Sequence, residues 1–248
     1  MDRVIVWFSC GAASAIALQL ALEKYPRENY EVVPVYCNTS FDEHPSNALF
    51  MKAVEEWLGV QVTIIASEKY KSVEDVFEAR RYMAGIQGAP CTVEMKKIPR
   101  FKFERPDDIQ IFGLTADEGS RIQTFNGNNP DLRLDWILMD NFVTKMDCYN
   151  RLQENNIELP VLYSLGFKNN NCIGCVKATS PAYWDNVRTQ FPDIFQRRAD
   201  QSRRFGVRLT RVKGERIFLD DLPFSDFSRY KQEDISCGPE CGSQERLF

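Results

Sequence analysis

Residues 4–14 read VIVWFSCGAAS and run straight into AIALQLAL over 15–22. The apolar, partly β-branched start has the composition of a buried strand. It stops at a turn of small residues, and the apolar positions that follow suit a helix packed on a sheet. Strand, small-residue loop and helix start make up the physical design of an anion site. The first amides of a helix lack intrahelical acceptors, and the helix dipole adds partial positive charge there. In the loop Ser9-Cys10-Gly11-Ala12-Ala13-Ser14, small side chains let an anion reach the backbone. Ser9 and Ser14 can add hydroxyl donors, whereas Cys10 can approach a ligand only through its backbone amide. Close strand–helix packing alone also selects small residues in such turns.

Outward from that stretch the pattern repeats. Residues 31–36 (EVVPVY) and 60–66 (VQVTIIA) read as a second and third strand, with a helix over 47–58 between them. A helix is expected over 73–83 and a fourth strand over 109–114 (IQIFGL). Strands alternating with helices predict an α/β fold with a parallel, Rossmann-like sheet. Ligands in such sheets bind beyond the carboxyl ends of the strands, which brings residues 9–14, 37–40 and 115–121 to one crevice. Residues 134–139 are a short apolar stretch, 145–155 a helix, and 159–176 loop-rich. Helix is expected over 181–205 with a break at Phe191-Pro192, then a β-hairpin around Lys213-Gly214. Residues 232–248 read as a polar tail or lid. The expected division is a nucleotide-binding domain over 1–178 and a helical and hairpin extension over 179–248.

The 248 residues carry a net charge of −4, so bulk charge gives no sign of a nucleic-acid partner. No run has the length or character of a signal peptide or membrane span, and a cytoplasmic location without membrane contact is expected. In that compartment the 8 cysteines point first to metal, redox or catalytic roles rather than disulfides. Cys172-Ile-Gly-Cys175 can hold a metal or cluster, act as a redox pair, or be a structural zinc site, and ordinary buried thiols are the remaining alternative. Cys91 lies far upstream, and Cys237 and Cys241 sit in the tail. Cys37 ends a strand, and Cys148 reads as packing. With His44 the lone histidine, a histidine-rich metal site is excluded. Lys96, Lys97, Arg100 and Lys102, interleaved with Phe101 and Phe103, fit either a solvated helix face or contacts to nucleotide or nucleic-acid phosphates. Arg197, Arg198, Arg203 and Arg204 read as a solvated helix face.

Several of these motifs together resemble the phosphoadenosine phosphosulfate (PAPS) reductase family of the PP-loop adenine-nucleotide superfamily. FSCGAAS (8–14) is similar to the family's phosphate loop, and CNTSFDEHP (37–45) to the segment after its second strand. PCTVEMKKIP (90–99) resembles the Cys-Cys-x-x-x-Lys-x-x-Pro region of cluster-bearing members. FGLTADEGSR (112–121) is similar to the second phosphate-binding loop. LPVLYSLGF and CIGC (159–175) resemble the Leu-Tyr-x-x-Gly-Tyr and Ile-Gly-Cys signature, and PECG (239–242) the tail that carries the nucleophilic cysteine. The resemblance spans residues 4–178, with a weaker echo in the tail.

The resemblance implies an adenine nucleotide (PAPS, APS or ATP) on Ser9–Ser14, with Asn38, Thr39 and Gly113 beside it. Lys96, Lys97 and Arg121 would neutralise a sulfate. Cys91, Cys172 and Cys175 would hold a 4Fe-4S cluster, or zinc in its place, with Cys237 or else Cys241 as the fourth ligand, or none. Cys241 would be the catalytic thiol and a thioredoxin-like protein the electron donor. Four departures stand out. Cys10 and Ala13 occupy positions that are Gly and Asp in ATP-cleaving members. Thr115 stands in place of an arginine, and Thr92 in place of a cysteine. The alternatives implied by the same family are an ATP-dependent sulfur transferase acting on nucleic acid, with Mg2+ accompanying ATP, and a catalytically silent nucleotide-binding subunit. A homo-oligomer is compatible with each.

Overall fold

Alternation along β1 (Asp2–Trp7) sets both faces of the sheet. Val4, Val6 and Phe8 pack into one apolar layer with Ile16, Leu18 and Val54, while Ile5 and Trp7 pack into the other with Val35, Phe112 and Phe125. A strand buried on both faces is what a parallel sheet covered by helices requires. The computed structural model describes residues 1–85, 88–232, 235 and 237. In it, α1 (Ala12–Lys24) follows β1 and leads to β2 (Tyr30–Cys37). After α2 (Ser46–Leu58) comes β3 (Thr63–Ile65), and after α3 (Val73–Arg80) a helical run over residues 90–103. That run comprises α4 (Pro90–Thr92), a π-helical segment Val93–Lys97 and α5 (Ile98–Phe103). Then come β4 (Ile109–Phe112), α6 (Gly119–Asn128) and β5 (Arg133–Asp135).

The five strands pair in the order β3-β2-β1-β4-β5, every pair parallel. This is an α/β architecture of Rossmann-like type. The chain builds outward from β1 to β3, then returns to β1's other side with β4. The turn of direction between β1 and β4 opens a crevice at their carboxyl ends.

Beyond the sheet lie α7 (Ile137–Asp140), α8 (Lys145–Glu154), α9 (Val161–Ser164), α10 (Pro181–Gln190) and α11 (Pro192–Phe205). The hairpin β6 (Thr210–Val212) and β7 (Glu215–Ile217) follows. Lys213 (φ 50°) and Gly214 (φ 90°) form its turn, the paired left-handed geometry that two-residue hairpins favour. Trp184, fully buried, donates its indole N–H to Ala178 O at 2.9 Å. The core around it draws on residues 70–95, 162–178 and 183–237, so residues on both sides of position 178 share one apolar interior.

Three elements differ from the sequence pattern. The third strand shrinks to Thr63–Ile65 at the sheet edge, where Ile64 is exposed. The basic stretch within 85–103 is helical over 90–103. Residues 134–139 split into the end of a fifth strand and the short helix α7. Among the described residues no helix is long and apolar enough to cross a membrane.

Candidate functional site

The crevice takes in about 850 Å³, open solvent at its mouth included. Its first wall is the 9–14 loop. Ser14 Oγ donates to Gly11 O (2.9 Å) and accepts from Ser9 N (3.1 Å), which closes the loop on itself ahead of α1. Cys10 is buried in a left-handed conformation (φ 55°), a geometry that glycine adopts more readily. Asn170 pins this residue by donating Nδ2 to Cys10 O at 2.7 Å. Gly113, just past β4, lies so close that a Cβ there would stand 2.8 Å from Ser14 N. That close approach joins the two strand ends into one surface. Tyr163 OH reaches over from α9 and accepts from Ala12 N at 3.4 Å.

The wall after β4 carries Thr115, Glu118 and Arg121. Thr115 donates both its backbone N–H (3.0 Å) and its hydroxyl (3.2 Å) to Glu118, and Arg121 forms an ion pair with the same carboxylate. Lys145, in the first turn of α8, extends to Lys168 O (2.6 Å) and Asn169 Oδ1 (2.8 Å). Below the 9–14 loop sits Glu43, buried, which accepts from Tyr36 OH (2.8 Å), Thr39 Oγ1 and Asn47 Nδ2 (2.8 Å). Three donors satisfy this carboxylate, and among the described residues no ion pair to it is found.

At the other end, four buried thiols come together: Cys91, Cys172, Cys175 and Cys237. None is in a disulfide. Cys175 and Cys237 are hydrogen-bonded to each other, and Thr92 Oγ1 lies 3.8 Å from Cys237 Sγ. The contact with Cys175 holds the Cys237 thiol well below its ordinary range, with Lys96 and Lys177 adding to the effect against burial. The same contact, then burial, pushes Cys175 up, and burial pushes Cys91 up to about 12. Lys96 Nζ donates to Cys237 O at 2.7 Å. Burial opposes the lysine's charge, but Cys237, Cys172 and Glu43 outweigh it and raise its pKa. Among the described residues no group of three His, Cys, Asp or Glu side chains stands in a metal-ligating arrangement.

Ser9, Gly11, Ala13, Ser14, Gly113, Lys96, Arg121 and Cys237 all line the crevice. Cys10 and Ala12 turn into the core beneath it. Asn38, Thr39 and Lys97 are not on its lining. Thr39 holds Glu43, and Asn38 holds Ser40 through its backbone N–H (3.1 Å) and hydroxyl (2.7 Å). Cys241 lies outside the described residues, as does most of 232–248.

Each basic cluster keeps one arginine inside, although Arg197, Arg203 and Arg204 lie on the exposed face that their sequence suggested. Arg100 is buried under Trp7, Phe101, Phe112 and Phe125 and paired to Glu104, while Lys102 faces solvent beside Glu68. Of the interleaved aromatics, Phe101 thus helps to enclose an internal arginine, while Phe103 lies against Arg3. Arg198 is buried as well, because it donates to Gly174 O (3.2 Å) and pairs with Glu74 (3.0 Å) and Asp42 (3.6 Å). Arg203 and Arg204 are exposed but engaged by Asp220, Asp221 and Glu78.

Glu43, Asn47, Tyr163, Lys145 and Asn170 were missed as site residues. The one local signal was the run Asn169-Asn170-Asn171 directly before Cys172, a polar triplet between apolar segments. No protein-family model matches the chain, and no curated protein matches it.

Proposed function

We propose that the chain is an adenine-nucleotide-binding enzyme of sulfonucleotide-reductase type, with residues 9–14 serving as a PP-loop. One observation carries this reading: Cys237 and Lys96 line the same crevice as Ser9, Gly11 and Ser14. A ligand with its phosphates at the start of α1 can therefore present its far end to a buried thiol and an ammonium group. The loop amides and serine hydroxyls bind the phosphate, where they oppose negative charge with pre-oriented dipoles. Lys96 and Arg121 face the sulfonyl oxygens.

The catalytic thiol is Cys241. As a thiolate it attacks the sulfonyl sulfur, and the S–O bond to phosphorus breaks with its electron pair leaving on the nucleotide phosphate. The enzyme then carries a Cys–S–SO3− group. A dithiol donor of thioredoxin type attacks the cysteine sulfur, releases sulfite and is oxidised to a disulfide. That supplies the two electrons the overall reduction needs. Cys91, Cys172, Cys175 and Cys237 are of the donor type that would hold a 4Fe-4S cluster or a zinc ion, but they would have to draw closer to do so, because among the described residues no three such side chains stand in a ligating arrangement. Bound there, either would fix the segments that carry the four cysteines beside the sulfonyl end.

The test is formation of sulfite with a dithiol present, together with AMP from adenosine 5′-phosphosulfate or adenosine 3′,5′-bisphosphate from its 3′-phosphorylated form. Turnover is expected, and Cys241→Ser is expected to abolish it while nucleotide binding persists. No sulfite from either compound overturns the reading. A second reading, ATP cleavage for sulfur transfer, gains from Thr115. This uncharged residue lines the crevice where the resemblance implies an arginine, which lowers the positive charge available to a sulfate. Pyrophosphate release from ATP and Mg2+ without sulfite formation would select it.

A further inference from the structure

Asn170 is 6% exposed and lines the crevice. Both its amide hydrogens are committed, one to Cys10 O (2.7 Å) and one to Asn47 Oδ1 (2.8 Å). Asn47 is itself oriented, because its own Nδ2 donates to the Glu43 carboxylate. The chain of orientation thus runs from Glu43 through Asn47 to Asn170. Flipping the Asn170 amide would set its carbonyl against two acceptors, so the assignment is fixed by its neighbours. What is left is Oδ1, buried and with no hydrogen-bond partner among the described protein groups. Such an acceptor, on a crevice-lining residue held to the 9–14 loop through Cys10, is a recognition element awaiting a donor.

We infer that Asn170 determines specificity by accepting a hydrogen bond from a ribose hydroxyl of the bound nucleotide. This rests on the nucleotide-binding reading above. An ionised phosphate or sulfate oxygen offers no hydrogen and would be repelled by the carbonyl. The donors of an adenine nucleotide are the ribose hydroxyls and the base amino group. Because Asn170 is tied to the phosphate loop itself at Cys10, the sugar next to the phosphate is the donor within its reach. The preferred ligand is then a ribonucleotide with that hydroxyl free.

The experiment measures calorimetric affinities of AMP, 2′-deoxy-AMP, 3′-deoxy-AMP and N6,N6-dimethyl-AMP for the full chain and for Asn170→Ala. The wild type is expected to lose about tenfold with one deoxy analogue, and the variant to bind AMP about tenfold more weakly with no further loss to that analogue. The base-modified analogue should lose equally on both proteins. Equal deoxy discrimination by both proteins, or coupling to the base analogue instead, overturns the inference. So does a wild type indifferent to both deoxy analogues, a result that needs no variant to fold. Failure of the wild type to bind any of the four would instead remove the nucleotide reading beneath it.

Discussion

The two ends of the crevice are built in opposite ways. The phosphate end is contiguous: six successive residues close on themselves through Ser14, and one close approach from Gly113 completes the surface. The thiol end is assembled from afar. Its four cysteines come from the helical run after α3, the loop before α10, and the tail. Their turn is clamped by Arg198 of α11 and by Tyr183 OH, which accepts from Cys175 N at 2.8 Å. A site made of backbone on a sheet edge is sensitive to close contacts. A site made of distant side chains depends on whatever holds those segments together.

The sharpest way to break the comparison is at the clamp. Arg198→Met removes a buried cation from Asp42 and Glu74 and frees Gly174 O. Breaking one side of a buried ion pair leaves uncompensated charge, and a loss of about 3 kcal/mol is expected in urea unfolding. Asp42, whose pKa is already raised by burial, relieves part of that by taking up a proton. Under native conditions Cys172 and Cys175 should become reactive toward a thiol reagent while nucleotide affinity changes less. Unchanged thiol reactivity would mean that α11 does not hold the thiol end.

The complementary lesion is Gly113→Ala. Its Cβ would meet backbone at Ser14, which cannot swing aside, so about 1–3 kcal/mol of overpacking is expected. Here nucleotide affinity should fall steeply and thiol reactivity stay as in the wild type. If both ends respond to either change, the crevice is one mechanical unit and the contrast fails.

The same contrast explains what could be read in advance. β1, β2, β4, α1, α2, α8 and the hairpin follow from periodicity and turn chemistry within a few residues of sequence. The 90–103 run does not, because two prolines and a π-helical segment break its pattern. The short β5 offers only three residues of signal. Residues 9–14 announce a loop before a helix whatever lies around them. Asn170 says nothing by itself, since its meaning comes from Cys10, distant in sequence, and Glu43 acts through Asn47. Arg100 shows the reverse error: a basic residue among aromatics that suits phosphate contacts or a solvated face is here caged as an internal guanidinium by Phe101 and Phe112.

Lys145 links the two ends, reaching from α8 to the 168–169 backbone and side chain that lead into the thiol loop. Its helix start is set by a capping box in which Thr144 N and Oγ1 both donate to Asp147 Oδ2 (2.8 and 2.6 Å). Those two bonds, the hydroxyl first, hold the Asp147 carboxyl below its usual range. A carboxylate depressed in the folded state stabilises it above the unfolded pKa of about 3.9, and that contribution is lost as pH falls through the lower folded value. Asp147→Asn should therefore unfold more easily than the wild type at neutral pH, and the gap should close progressively below pH ~4. Because the residue is only half-buried and at the surface, the effect is the smallest of the set. Paired urea titrations from neutral pH to pH ~3 would read it. A gap that stays constant over that range would detach the cap's contribution from the Asp147 charge and leave Lys145 positioned by its contacts at residues 168–169 alone.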